Sequence, residues 1–445
     1  MPKNAWCWMG LGILGLAGLA RGDEAPKGPT VEEWKKVQER LATLEKKLGE
    51  KDDQKPPTDK KTPGKPVEST YDEGFWFVGP DDKLRIGGSG QFDARFYEQG
   101  NPGDNTFQVR RARLYATGVL EENWGYMVMA RWDRGSANLH WAWVESQHVP
   151  YARFRMGQFK EPYTVEGVNS DQHFDFNERS LWVSNLVQLE DIGIMLYGKC
   201  LDQRLEYALG AFNGRGKEKD DTNDDKEVVG QLTLAPWHNS DARSVKGLNL
   251  SFSGSHSHME EDDLKSASYT TAAQTKFWTY ASTVAATGSK DRASAELEWL
   301  IGPASIKGGV HEARLGDLQM AGMEESVTVD GWSVWGTWLL TGEDKPRNKA
   351  VVPKAAFDPK KGTWGAWELA ARYEQFKADR ELFKQGFLTG TNQADSTTVG
   401  LNWYMNRHMK TLLDFQTTQF RDSVTLNGSP VSHENTLTLR FQFDF

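Results

Sequence analysis

From Leu84 to the final residue the chain repeatedly alternates apolar and polar side chains with a period of two. That period demands β-strands with two chemically different faces. The last strand reads most plainly: Leu437, Leu439, Phe441, Phe443 and Phe445 alternate with Thr438, Arg440, Gln442 and Asp444. One such strand fits either a soluble sandwich, whose apolar face meets a core, or a membrane barrel, whose apolar face meets lipid and whose polar face lines a lumen. Recurrence favours the barrel. Leu84, Ile86, Gly88, Gly90, Phe92, Ala94 and Phe96 interleave with Arg85, Ser89, Gln91, Asp93, Arg95 and Tyr97; Ala112, Leu114 and Ala116 alternate with Arg111, Arg113, Tyr115 and Thr117. Trp124, Tyr126, Val128, Ala130 and Trp132 put aromatics at both ends of an apolar band, as two interfacial girdles require. Further strands are expected to begin near Ala152, Ile192, Leu205, Val228, Leu248, Ala295, Ser305, Val327, Trp364, Thr398 and Met409. Leu84 to Phe445 is 362 residues, and at roughly 22 residues per strand and connection this gives about 16 strands, an even number as bacterial barrels have. The expected fold is all-β, a transmembrane antiparallel β-barrel over residues 75–445.

Composition removes other classes. Beyond the N-terminal segment no apolar run approaches the roughly 18 residues of a spanning helix, which excludes a polytopic helical transporter. Phe, Trp and Tyr make up 11% of the chain, with 43 Gly against 17 Pro, a mixture suited to twisted sheet. Two cysteines cannot build a disulfide framework. The charges of the first 74 residues cancel, so the net charge of −9 belongs to the rest, and no basic block marks a nucleic-acid arm.

Residues 1–20 read as a signal peptide: Lys3, an apolar run from Ala5 to Leu19, and a small-x-small site at Gly18-Leu19-Ala20. Over 21–50 a short N-terminal coiled-coil helix is expected, because Thr30 and Glu33 have capping-box spacing and Trp34, Val37, Leu41, Leu44 and Leu48 recur at three- and four-residue steps. Two heptads fit a single amphipathic helix equally well. Residues 51–74 carry Pro56, Pro57, Pro63 and Pro66 with no apolar face and form a linker.

Several segments, in order, are specific enough to resemble a family. These are Arg110-Arg111-Ala112-Arg113-Leu114, Gly157-Gln158-Phe159-Lys160-Glu161-Pro162, Asn177-Glu178-Arg179-Ser180-Leu181, Asp191-Ile192-Gly193 and the run from Tyr207 to Gly214. Thr341-Gly342-Glu343, Trp364 to Tyr373, Gly400 to Tyr404 and the terminal Arg440 to Phe445 follow. Together they resemble the phosphate-selective porin O and P family over most of Leu84 to Phe445. The resemblance implies a homotrimeric 16-stranded porin of a Gram-negative-type outer membrane, surrounded by lipid, with a loop folded into each pore. It also implies a terminal Phe445 read by the barrel-assembly machinery. Residues 241–321, with a His-Ser-His-Met-Glu-Glu-Asp-Asp loop, contain no matching motif.

The candidate site residues are Arg111, Arg113, Arg153, Arg155, Lys160 and Arg179. Strand parity turns Arg111 and Arg113 away from Leu114 and Ala116, and Arg153 and Arg155 away from Phe154 and Met156, so they face the lumen; at the bilayer midplane an outward arginine costs about 2 to 4 kcal/mol. There they either attract small anionic solutes or brace the wall against Asp93, Glu145 or Glu206. Residues 161–190 show little alternation and hold Asp171, His173, Asp175, Glu178 and Arg179. The family resemblance makes them the constriction loop; the other reading is an ordinary surface loop. His256 and His258 lack structural-zinc spacing, no G-x-S-x-G or other catalytic motif is present, and no metal or cofactor is assigned. The functional expectation is a water-filled outer-membrane channel for small hydrophilic solutes, anions such as phosphate among them. The alternative is an envelope tether in which the barrel anchors a coil that reaches the cell wall.

Overall fold

In the computed structural model the described residues are 35, 39–40, 67–98, 104–133, 136–221, 224–260, 263–264, 267–426 and 428–445. The chain divides into a unit of residues 1–67 and a unit of residues 68–445. In the first, Lys35, Glu39 and Arg40 are helical; the rest of the coil expected over 21–50, the signal peptide and the linker up to residue 66 lie outside the described residues.

The second unit is a closed antiparallel barrel of 16 strands. They are β1 (Lys83–Tyr97), β2 (Thr106–Leu120), β3 (Trp124–Asp133), β4 (Ser136–Ser146), β5 (Arg153–Lys160), β6 (Glu190–Cys200), β7 (Leu205–Phe212) and β8 (Glu227–Leu234). The wall continues with β9 (Gly247–His258), β10 (Ser289–Ile301), β11 (Ala304–Met320), β12 (Met323–Leu339), β13 (Ala366–Ala378), β14 (Gln393–Tyr404), β15 (Met409–Leu426) and β16 (Ser429–Asp444). Each strand pairs with the next, and β16 returns to β1 with Phe441 opposite Phe92 and Arg440 opposite Asp93. Phe445 extends the seam, its N–H donating to the Gly88 carbonyl at 3.0 Å and its carbonyl accepting from the Gly88 N–H at 2.9 Å. Closure leaves the 16 wall strands without an open edge, and a hairpin of Glu68–Tyr71 and Phe75–Val78 pairs onto the start of β1.

The alternation falls as the sequence requires. Phe92, Leu114, Val128, Phe154, Ile194, Phe252, Val310, Val399 and Phe441 are exposed on the outer surface, whereas Gln91, Asp93, Arg111, Arg292, Arg372 and Arg440 are buried on the inside. Trp124 and Trp132 close the two ends of the β3 band, each 43% exposed. Strand β4 has no counterpart among the expected strand starts. A register shift between Met129 and Ala130 of β3 skips His140 of β4, which breaks the period of two, and the inward residues beyond it, Trp141 and Trp143, are as apolar as the outward ones. Residues 241–321 supply the wall strands β9, β10 and β11, and between β9 and β10 two short strands of a separate small sheet. The His-Ser-His tract expected in a loop is instead the end of β9, with Ser255 and Ser257 inside and His256 outside, 2.6 Å from Asp291 of β10. Polar residues on both faces conceal the strand there.

Among the described residues the larger of the hydrophobic clusters gathers toward one end of the barrel. At the end opposite the termini, a three-stranded sheet of Ser268–Thr270, Lys276–Tyr280 and Leu388–Gly390 packs Tyr269 against Trp278, ring centroids 4.5 Å apart, and sets Phe277 and Trp278 against Phe376 of β13. This cluster continues onto Leu181, Trp182 and Val183 of a loop inside the barrel. Folded protein should migrate as a compact band in SDS gels until boiled, since a closed ladder gives detergent no edge at which to start; identical migration before and after boiling would contradict the closed wall. Deleting Phe445 should lower the yield of heat-modifiable protein in the outer membrane while export continues.

Candidate functional site: the loop-constricted lumen

Residues 161–189, between β5 and β6, fold inward and carry α1 (Val165–Val168), a 3-10 turn (Asp171–His173) and α2 (Leu181–Leu186). Thr164 caps α1 through its hydroxyl, which accepts from the Gly167 N–H at 2.9 Å. The loop is fastened chiefly by charge. One oxygen of the Glu178 carboxylate lies 2.8 Å from Arg95, 2.7 Å from Arg110 and 3.1 Å from Arg440; the other accepts from Arg110 at 3.0 Å and Arg111 at 3.3 Å. Seven residues earlier Asp171 takes Arg111 at 3.0 Å and Arg113 at 2.8 Å. Asn177 bonds Asp414 and the Thr438 carbonyl, at 2.6 and 3.1 Å, and the Leu181 N–H donates to Glu374 at 2.6 Å. Asp175 reaches the far wall, 2.9 Å from Lys307 and 2.7 Å from Lys345.

Lys345 belongs to residues 340–365, a long connection that enters from the terminal end of the barrel, where most other turns are short. Its ammonium also meets Glu368 at 2.5 Å, and Arg347 bridges Glu206 and Glu298, both at 3.0 Å. The lumen is thus narrowed from both ends, and the two insertions meet at Asp175–Lys345. Sequence reasoning passed over Lys345, Arg347, Lys307, Arg95 and Arg440 as site residues. Arg95 and Arg440 have the strand parity of the chosen arginines, a usable signal; Lys345 and Arg347 sit in an aperiodic stretch that offers none.

The six expected residues divide. Arg111 and Arg113 face inward but are buried against the loop carboxylates rather than against Asp93, Glu145 or Glu206. Arg179 lies in the loop, 4.4 Å from the Phe174 ring, with the Glu166 and Asn169 carbonyls at 3.4 Å. Lys160 donates to the Gly167 and Asn169 carbonyls at 2.9 and 2.5 Å. Arg155 is held by Glu145 at 2.5 Å, while Arg153 keeps 38% of its side chain exposed and approaches Glu145 only to 3.7 Å. Arg153, Arg155 and Lys160 line a cavity of about 770 Å³ along β3 to β8, together with Lys199, Glu206, Trp141, Trp143 and Tyr197.

Family motifs acquire physical meaning here. Gly157 has φ +130°, and a Cβ there would lie 2.2 Å from the Ala142 carbonyl oxygen, so β4 and β5 approach closely only with glycine. Asp191 accepts from the Ile192 and Gly214 N–H groups at 2.7 and 2.6 Å, clasping the start of β6 to the end of β7.

A closed 16-stranded wall with an apolar belt outside, a charged lumen inside and an inward-folded loop defines an outer-membrane porin channel. The chain belongs to the phosphate-selective porin O and P family, whose model matches residues 83–445. Solved structures agree in fold. OmpT of Vibrio cholerae superposes with TM-score 0.53 at 11% identity over 83% of this chain and 99% of that one. The outer membrane channel DcaP of Acinetobacter baumannii gives 0.52 at 9% over 83% and 99%, and OmpF of Salmonella typhi 0.52 at 12% over 85% and 100%. No curated protein sequence matches the chain.

Burial alone would raise the carboxyls of Glu178 and Asp171, but the surrounding arginines outweigh it and hold both well below the ordinary range. A depressed pKa contributes stability that is complete above the unfolded value, roughly 4, and is lost only as pH falls through the depressed one. The Glu178 and Asp171 anchors should therefore stay ionised from pH 7 to pH 5, so the loop should not be released, read as larger and noisier currents, over that range. Glu178→Ala should release the loop at a cost of about 3 to 5 kcal/mol, giving larger and noisier single-channel currents from a barrel that is still heat-modifiable; unchanged conductance would show that Glu178 does not hold the loop.

Proposed function

We propose that the channel passes small hydrophilic solutes with a preference for anions, phosphate among them, and that its preference is set beside the loop and not under it. The supporting observation is the division of the wall. The loop covers β1, β2, β11, β13, β15 and β16 through the contacts above, and the 770 Å³ cavity lies along β3 to β8. Facing that cavity, Arg153, Arg155, Lys160 and Lys199 are opposed by Glu206 and by Glu145 behind the arginines. The local balance is positive in a barrel domain that is acidic overall. A low-dielectric wall focuses such a field into the lumen. Arg111 and Arg113, neutralised by Asp171 and Glu178, serve to brace the loop.

Family membership supports phosphate as a solute, and one of the OmpT structures is a trimer form, which supports a homotrimer here, assembled with the barrel-assembly machinery acting at Phe445. Cross-linking in mild detergent should yield trimers; monomers alone would reject that assembly.

In a salt gradient the reversal potential should report modest anion preference. Arg153→Glu combined with Lys199→Glu should reduce or invert it, because both side chains are partly exposed to the lumen. The preference should fade as salt rises, since such fields are screened within about 8 to 10 Å at physiological ionic strength. Equal potentials for the wild type and the double variant would overturn the placement of selectivity at this wall.

A further inference from the structure

A lumen that only admitted hydrated ions would be lined with polar groups. The wall from β3 to β6 carries large aromatic side chains among its charged ones. Trp143 of β4 lies opposite Gly157 of β5 and Met127 of β3, and Tyr197 of β6 lies opposite Arg153. With Trp141 they put two indoles and a phenol on the face of the cavity. Its volume, about 770 Å³, falls within the 300–1,000 Å³ of sites that hold small organic molecules.

The cations are arranged around this aromatic strip. Arg155 lies in its middle, its guanidinium 4.0 Å from the Trp143 ring centroid and 5.0 Å from that of Tyr197. Its charge is met by Glu145, so it packs the indole rather than attracting a solute. Arg153 stands toward the terminal end, where Tyr151 of the adjoining turn also lines the cavity. Lys160 stands at the loop end, 6.0 Å from the Trp141 ring. Seven residues of strand separate the two, roughly 23 Å at about 3.3 Å per residue. An aromatic strip therefore runs between a cation at each end.

We propose that this cavity is a binding station for planar aromatic carboxylates, the ring packing against Trp141 and against the Trp143 and Tyr197 rings that flank Arg155 while the carboxylate pairs with Arg153 or Lys160. Aliphatic acids of equal charge gain the ion pair but lack the stacking, and neutral arenes gain the stacking alone. The proposal rests on the channel reading above and narrows its solute class.

The test uses the full-length protein in planar bilayers, with sodium benzoate, cyclohexanecarboxylate and acetate added at equal concentration and ionic strength. Benzoate should interrupt the current at concentrations about two- to tenfold lower than cyclohexanecarboxylate, the range that aromatic pairing adds beyond buried area. Acetate should be weaker still. Trp143→Ala should erase most of the advantage of benzoate over cyclohexanecarboxylate, and Trp143→Phe should keep it; Trp141→Ala replaces the first variant if that one yields no heat-modifiable barrel. Arg153→Gln should weaken block by both ring acids and leave their ratio in place. An ion current interrupted equally by all three acids would overturn this proposal and leave the channel reading standing. Absence of any ion current would overturn the channel reading and this proposal with it.

Discussion

Inside the wall near the seam, five arginines converge: Arg95 on β1, Arg110, Arg111 and Arg113 on β2, and Arg440 on β16. The wall itself supplies Asp93, 2.6 Å from Arg440 and 3.0 Å from Arg95. The arginines cannot turn outward, because a guanidinium in the bilayer costs more than one in the lumen. Left to themselves they would repel one another across a few ångströms of low-dielectric space. Asp171 and Glu178 of the inward loop cancel much of that repulsion, and the charge-assisted bonds they accept are directional and strong. The loop is therefore drawn to this stretch of wall in particular, and the position of the remaining free space follows from that choice.

Two other insertions finish the shape. From the end opposite the termini, the small three-stranded sheet buries Trp278, Phe277 and Tyr269 against Phe376 and against Trp182 of the loop, so hydrophobic packing holds the upper part of the loop where electrostatics holds its middle. From the terminal end, residues 340–365 bring Lys345 to Asp175. A 16-stranded barrel encloses a wide lumen, and here much of its section is occupied by these three pieces. The cavity beside β3 to β8, with its arginines, lysines and indoles, is the space they leave.

Charge placement explains why the six arginines and lysines chosen from sequence do not act alike. Parity correctly turned Arg111, Arg113, Arg153 and Arg155 inward, since parity is a property of one strand and its pleat. Whether an inward arginine meets solute or a carboxylate depends on residues far away in the chain: Glu178 lies 67 positions from Arg111 and 262 from Arg440. Strand β4 escaped notice for a local reason, the shift that skips His140, together with tryptophans on the inner face where a porin is expected to be polar.

The sequence by itself determined an all-β wall, an even strand number near 16 and the lipid-facing and lumen-facing sides, and its family motifs pointed to residues 161–190 as the constriction loop. All of these rest on short-range periodicity or on contiguous motifs, in which each residue's partner is two positions away or directly across a strand pair. Tertiary structure alone decided that Glu178 and Asp171 bind the arginines of β1, β2 and β16, that residues 340–365 enter the lumen to meet Asp175, and that the cavity runs along β3 to β8. Those arrangements are set by pairings across the closed barrel, where the geometry of closure, and not the order of residues, brings opposite charges together.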